Sequence, residues 1–265
     1  MKRYKKKKKG PVFAAVLIVL LLAAAAGGND EENQQIEDDS HDIVSEENQT
    51  INTATIEEAG VFDYSQIPEY SSSPYVEVNG NLPFFSESEI TTESYESYGQ
   101  LDSLGRCTTA MACIGKDLFP TEERGKIGMI RPSGWHTVKY AGIDGNYLYN
   151  RCHLIMYAMT AENANEKNLI TGTRYMNTEG MLPFEEKTHD YIERSNHHVM
   201  YRVTPVFVGD ELLARGVLME AYSVEDSGAG IQFCIFCYNV QPGISIDYTD
   251  GTSSGPEFTG SDMGK

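Results

Sequence analysis

Between Gly27 and Gln100 the sequence contains no lysine or arginine, while it carries 18 aspartates and glutamates. The early part of that stretch, for example NDEENQQIEDDSHDIVSEENQT, is also short of aliphatic side chains. A segment of this kind cannot bury enough apolar surface to offset chain entropy, which excludes a packed core of its own. Residues 27–65 therefore read as an acidic disordered spacer. Residues 66–99 read as a transition segment whose apolar islands, YVEV and LPFF, can dock on the domain downstream. Residues 100–265 suit one domain with a real core. From Leu101 onward 14 basic residues stand against 21 acidic ones, a net charge of −7. That part has no net pull on a polyanion, so binding one requires a local basic groove.

No apolar run reaches the roughly 20 residues of a comfortable membrane span. The candidate run, Pro11 to Ala26, has 16 residues and follows seven lysines and arginines. This is the plan of an export signal, and Ala24-x-Ala26 before Gly27 resembles a small-residue cleavage site. Residues 1–26 read as a signal peptide, with an uncleaved N-terminal membrane anchor as the alternative. Either reading makes the rest of the chain secreted or held at the cell surface. The absence of a cysteine just after the run argues against a lipoprotein anchor.

Cysteine is scarce and odd in number, with five in the chain. In an exported protein that leaves at least one thiol free or paired with another molecule. A Cys107–Cys113 disulfide is one expectation. Cys234 and Cys237 have the gap of a zinc knuckle, but no second such pair lies nearby and the run CIFC is strand-like. No internal repeats are visible.

The domain reads as α+β, an antiparallel sheet with helices on one side. HTVKYAG and NYLYNRCHLI read as the strands of a β-hairpin turning at GIDG, where Asp144-Gly145 is a strong turn signal. MYAMTAENANEKN is helix-compatible. LPFEEKTHDYIERS has Pro183 in its first turn and acids early, as a helix start should. Three strands follow, HVMYRVTPVFVG, ELLARGVLMEAYSVED and GIQFCIFCYNV. In the first, Val199, Tyr201 and Val203 alternate with Met200, Arg202 and Thr204, which suits a sheet with one face more buried.

The polar cluster in YNRCHLIM, Tyr149 to Met156, is the candidate site. Arg151 and His153 share a face of an extended chain and Cys152 points the other way, which argues against a Cys152–His153 nucleophile pair. An arginine beside a neutral histidine suits an anionic substrate, one neutralising phosphate and the other taking a proton from water. The alternative on these residues alone is a core histidine beside a surface arginine.

The longer span YNRCHLIMYAMTAENANEKNLITGTRYMNTEGMLPFEE resembles the DNA/RNA non-specific endonuclease family, in its exported bacterial DNA-entry branch. The family motif is Asp-Arg-Gly-His, then a metal-binding Asn about two dozen residues later, then a Glu. Here the matching residues are Asn150, Arg151, Cys152 and His153, then Asn177 and Glu185. The similarity also takes in PTEERG, PSGWHTVKY, YRVTPVF and YNVQPGISIDY, so that it spans roughly residues 100–249.

The resemblance implies a ββα-metal finger carrying the active site, and hydrolysis of DNA, with RNA a second substrate. His153 would be the general base, Asn177 the protein ligand of a Mg²⁺ ion (Mn²⁺ the alternative), and Glu185 the holder of a metal-bound water. Glu186 competes with Glu185 for that role. Arg151 would contact phosphate and Asn168 would support the site. Arg174 and Arg131 are candidates for backbone phosphates, with a solvated surface charge as the other reading. Asn177 has a helix-cap alternative.

The sequence departs from the motif twice. Asn150 replaces an aspartate that would orient the site, and Cys152 adds a side chain where the family has glycine. Gly180 and Pro183 predict that Asn177 and Glu185 approach the metal from separate segments. No obligate protein partner is implied, and membrane contact arises only through an uncleaved N-terminus. A non-catalytic extracellular binding module with the same fold is the competing function.

Overall fold

The computed structural model describes residues 61–257; the export segment, residues 27–60 of the spacer and residues 258–265 lie outside the described residues. In chain order the strands are β1 (Tyr75–Glu77), β2 (Tyr95–Tyr98), β3 (Ala110–Ile114), β4 (Tyr149–His153), β5 (Leu169–Thr173), β6 (Val199–Val206), β7 (Gly216–Ser223), β8 (Gln232–Tyr238), β9 (Ser245–Ile246) and β10 (Ser253–Ser254). The α-helices are α1 (Tyr157–Thr160) and α2 (Leu182–Ser195). Among the described residues no helix is long and apolar enough to cross a membrane.

Six strands form one antiparallel sheet in the order β1-β8-β7-β6-β3-β2. The alternation read in β6 sorts its faces. Val199, Tyr201 and Val203 enter the main core with Met219, Phe233 and Ile235 from the neighbouring strands. Met181 and Ile192 of the helical segment and Cys152, Ile170 and Met176 close that core from the other side. The protein is thus α+β, with α2 on one face of an antiparallel sheet.

The opposite face is covered by the segment before β2. Phe85 is buried against Cys113 and Met200, and the Phe84 amide donates to Glu220 at 2.7 Å. Both apolar islands of residues 66–99 are therefore used, and β1 and β2 form the two edges of the sheet. No structural boundary falls at residue 100, because the sheet's edge hydrogen bonds and one of its apolar faces are satisfied only by these upstream residues.

Three local expectations are corrected. The hairpin before β4 shrinks to one bridge, Lys139 with Tyr147, about a turn where Gly142, Gly145 and Asn146 take positive φ. Beyond it β4 leaves that partner and pairs along its whole length with β5, from Tyr149 opposite Thr173 to His153 opposite Leu169. The helix expected over MYAMTAENANEKN is only α1, closed by Ala161 in the left-handed region; Asn165 then caps a short turn instead of continuing a helix.

Third, the cysteines make no bridge: all five are free and buried. Cys107 and Cys113 lie in different apolar clusters. Cys234 and Cys237, three apart on a strand, point to opposite faces, one against the Arg202–Glu220 pair and the other against Met219. Such an arrangement cannot chelate zinc.

Candidate active site

The ββα unit is β4, β5 and the helical segment after them. It is fastened to the end of the large sheet by Asn239, fully buried, whose side chain accepts from Thr173 N and donates to the carbonyls of Thr171 and Ala214. Inside the unit, Asn168 is also fully buried and closes both backbone bonds of Ile155, at 2.9 and 3.0 Å. It does not reach the cleft. Its effect is to fix the chain two residues beyond His153.

Asn177 and Glu185 do not come from separate segments. Met176–Met181 forms a π-helical turn, Leu182 N–H bonds back five residues to Asn177 O, and α2 continues without a break. Pro183, which has no N–H to offer, falls where the register changes. Eight residues overshoot two α-turns of about 3.6 each, and the extra residue taken up by one i→i+5 turn offsets that excess. Both side chains consequently line one cleft. Asn177 lies within the helix and Tyr175 holds the cap position, so the cap reading is dropped. Glu185 is buried while Glu186 is exposed, which places the first and not the second at the cleft.

The cleft has a volume of about 710 Å³, and Asn150, Arg151, His153, Arg174, Asn177 and Glu185 all line it. Arg131 is exposed and is not among the lining residues; after burial, its charge is the second cause that disfavours the charge on Arg151. Arg174 is half committed, donating to Asp144 at 2.6 Å in an exposed ion pair.

His153 is 7% exposed. Its Nδ1 faces a guanidinium N–H of Arg124 at 3.3 Å and its Nε2 faces the Asn163 carbonyl at 2.8 Å. Arginine only donates and a carbonyl only accepts. The proton therefore sits on Nε2, and Nδ1 carries the lone pair. Burial first, and then the Arg124 charge, hold the ring below its ordinary pKa, against the Asn163 carbonyl, which favours the protonated form.

The ring is thus oriented by a backbone carbonyl. Asn150 does not touch it, and its Nδ2 is buried without a hydrogen-bond partner. The orienting role expected of residue 150 is replaced by Asn163, ten residues beyond the histidine. The loop carrying Arg124 packs close to the Asn163 side chain, for a Cβ at Gly125 would stand 2.6 Å from its amide nitrogen.

Cys152 is fully buried, and burial raises its thiol pKa far above the ordinary value. It is a core residue. The space a glycine would leave at 152 is regained across the pair at Gly172, where a Cβ would lie 2.3 Å from the Cys152 sulfur.

Glu185 has the opposite character. Burial, and then the neighbouring Glu186, push its carboxyl up to about 8, against the pull of Arg124. Among the described residues no cation forms an ion pair with it. A buried carboxyl group without a cation partner, lining the same cleft as an Asn177 amide oxygen with no hydrogen bond among the described residues, is an oxygen donor set suited to a hard divalent cation.

A sequence model described as DNA/RNA non-specific endonuclease matches residues 86–225. The chain belongs to this family. A curated relative, named "Deoxyribonuclease" and from Streptococcus dysgalactiae subsp. equisimilis, is 32% identical over 111 residues, or 40% of this chain. That match spans only 33% of the relative's own length. NucA from Streptococcus agalactiae, solved with magnesium bound, superposes with a TM-score of 0.61 at 23% identity over 68% of this chain and 85% of that one; at that identity the likeness concerns the fold. Sda1 nuclease, solved with bound zinc, gives 0.57 at 25% identity over 71% and 97%.

Within this family member two cleft residues escape a reading of the sequence for site chemistry. Arg124 stands inside PTEERG and Trp135 inside PSGWH, segments that carry family resemblance but no catalytic pattern of their own. Neither lies near the His153 motif in the chain. Arg124 is brought to the cleft by a loop that Tyr157 OH holds through Glu122 O at 2.7 Å and Thr171 Oγ1 through Ser133 O at 2.8 Å.

Proposed function

We propose that this family member is an exported, divalent-metal-dependent endonuclease that hydrolyses phosphodiester bonds of DNA, and of RNA as a second substrate, without sequence preference. The observation that carries the reading is the His153 ring, held neutral with its lone pair on Nδ1, in one cleft with Arg124, Arg151, Arg174, Asn177 and Glu185. The curated relative's name favours DNA.

Each residue has a separate task. Nδ1 of His153 takes a proton from water, and the resulting hydroxide attacks phosphorus opposite the 3′-oxygen. The P–O3′ bond breaks, leaving a 5′-phosphate and a 3′-oxygen that takes a proton from solvent water to become the hydroxyl. The imidazolium keeps its Nε2–H on the Asn163 carbonyl, so the ring does not turn as its charge changes. Arg151 and Arg124 supply N–H donors for the phosphate oxygens, and Arg124 releases Nδ1 as it does so. Asn177 would hold the metal through its amide oxygen and Glu185 would hold a water beside it, as the uncommitted oxygens suggest. Bound there, Mg²⁺ or Mn²⁺ would supply a positive charge for the phosphoryl oxygens and the departing 3′-oxygen.

The net charge of −7 from Leu101 onward, or −14 once the seven acids of the packed residues 61–100 are added, does not oppose this. The cleft wall carries three arginines and one carboxylate, and the field at a cleft follows its own lining more than the total. The lysine-rich start and the apolar run after it support export; recovery of the protein only from cytoplasm would overturn that part.

The test is plasmid nicking by the purified chain with Mg²⁺ or with chelator, beside His153→Ala. Nicking should need metal and fall by about 10²- to 10⁴-fold in the variant. Equal rates for the two proteins would remove His153 as the base.

A further inference from the structure

We infer that Trp135 is the positioning residue for Arg151, holding its guanidinium plane so that one edge faces the substrate phosphate. The inference rests on the nuclease reading and adds a residue that does not itself touch the reacting atoms. Arg151 Cζ lies 4.0 Å above the indole ring. On the guanidinium's rim, Nε donates to Ile130 O and Nη2 donates to Gly128 O at 2.9 Å. One face and one edge are thereby fixed, and Nη1 makes no such bond among the described residues. Trp135 and Arg151 line the cleft together with His153.

The choice of residue is informative. Trp135 is the chain's single tryptophan, and its indole N–H is buried without a hydrogen-bond partner. An orphaned buried donor is unfavourable and asks for a reason. Phenylalanine would fill much of the same space with no donor to strand. Indole, though, is the strongest of the aromatic faces for a cation, and this cation needs one: partial burial, and then the nearby Arg131, disfavour the charge on Arg151. A guanidinium fixed in plane meets phosphate in a bidentate fork without first losing rotamer freedom. The stack therefore confers geometry on Arg151 as well as holding a wall of the cleft.

A double-mutant cycle separates positioning from mere packing. Trp135→Leu should lower kcat/KM by about 10-fold in the native background, the size of a partly desolvated cation–π contact. In an Arg151→Lys background, where no plane remains to be held, the same change should cost less than about 2-fold. Trp135→Phe, which keeps a ring, should recover most of the loss. Because the protein has one tryptophan, Arg151→Lys should also alter the indole emission with no substrate or metal present, a readout that survives even if the leucine variant does not fold. Equal losses in both backgrounds, or an unchanged emission, would overturn the inference. A wild-type protein that cleaves no nucleic acid would instead overturn the nuclease reading on which it rests.

Discussion

Two arginines meet buried partners in this molecule, and the partners are of opposite kinds. On the large sheet Arg202 donates to both oxygens of Glu220, at 2.7 and 2.8 Å, adds Glu89 at 3.0 Å, and stacks over Phe85. Glu220 is 1% exposed, and every strong charge around it has an opposite beside it. In the cleft Arg124 meets an imidazole, Arg151 has another arginine as its charged neighbour, and Glu185 has no ion pair. The sheet settles its charges within the fold. Arg174 apart, the cleft arginines have no carboxylate partner among the described residues and are left for something outside the chain to settle, which is how an active site differs from a stabilising network.

The largest effect expected from this contrast is on stability. Glu220→Ala leaves Arg202 with Glu89 alone and strands the Phe84 amide, and should lower unfolding free energy by about 2–3 kcal/mol in denaturant titrations. A loss below about 1 kcal/mol would show that water or movement of that segment replaces the pair, and the contrast with the cleft would fail.

Arg124→Ala comes next and should act on chemistry with little change in stability. Its kcat/KM should fall by about 10-fold or more through the lost phosphate donor. The sign of the accompanying pH effect comes from the charge. Arg124 disfavours imidazolium, so removing it raises the pKa of His153 and moves the acid limb of the rate profile to higher pH. An acid limb that stays in place would mean that burial alone holds the ring neutral.

The last test is Glu185→Gln, read as stability in chelator. The buried acid is neutral up to about 8, and glutamine imitates that form. The contribution of the neutral acid is complete below its ordinary value of 4.5 and is lost as pH rises through about 8. Melting curves of the two proteins should thus agree in acid, and the wild type should weaken relative to the variant between about 4.5 and about 8, with no further divergence above that. Parallel curves across the range would mean that Glu185 is already ionised when the metal is absent.

The legibility of the two regions differs for a physical reason. Alternation in β6 and the start of α2 at Leu182, with Pro183 and Glu185 in its first turn, are written within a few neighbouring residues, and both were readable. So was the turn at Asp144-Gly145. The motif positions Arg151, His153, Asn177 and Glu185 were readable through resemblance, because their order along the chain carries the pattern. Pairing was not: β4 had a nearer and plausible partner, and LITGT is too short, with a glycine in its middle, to announce a strand.

The sequence by itself thus determined the local elements, the acid-rich approach to the domain and the identity of the polar residues in the ββα unit. Only the tertiary structure decided what those residues touch. Asn163, not Asn150, orients His153, since the strand direction carries residue 150 away from the ring while the loop after α1 returns a carbonyl to it. Cys152 fits because Gly172 across the strand pair leaves it room. Asn177 and Glu185 share a cleft because one π-turn shifts their phase. Arg124 and Trp135 join them from a loop 29 and 18 residues upstream of His153. Each of these outcomes depends on contacts between chain segments that carry no mark of one another in their local composition.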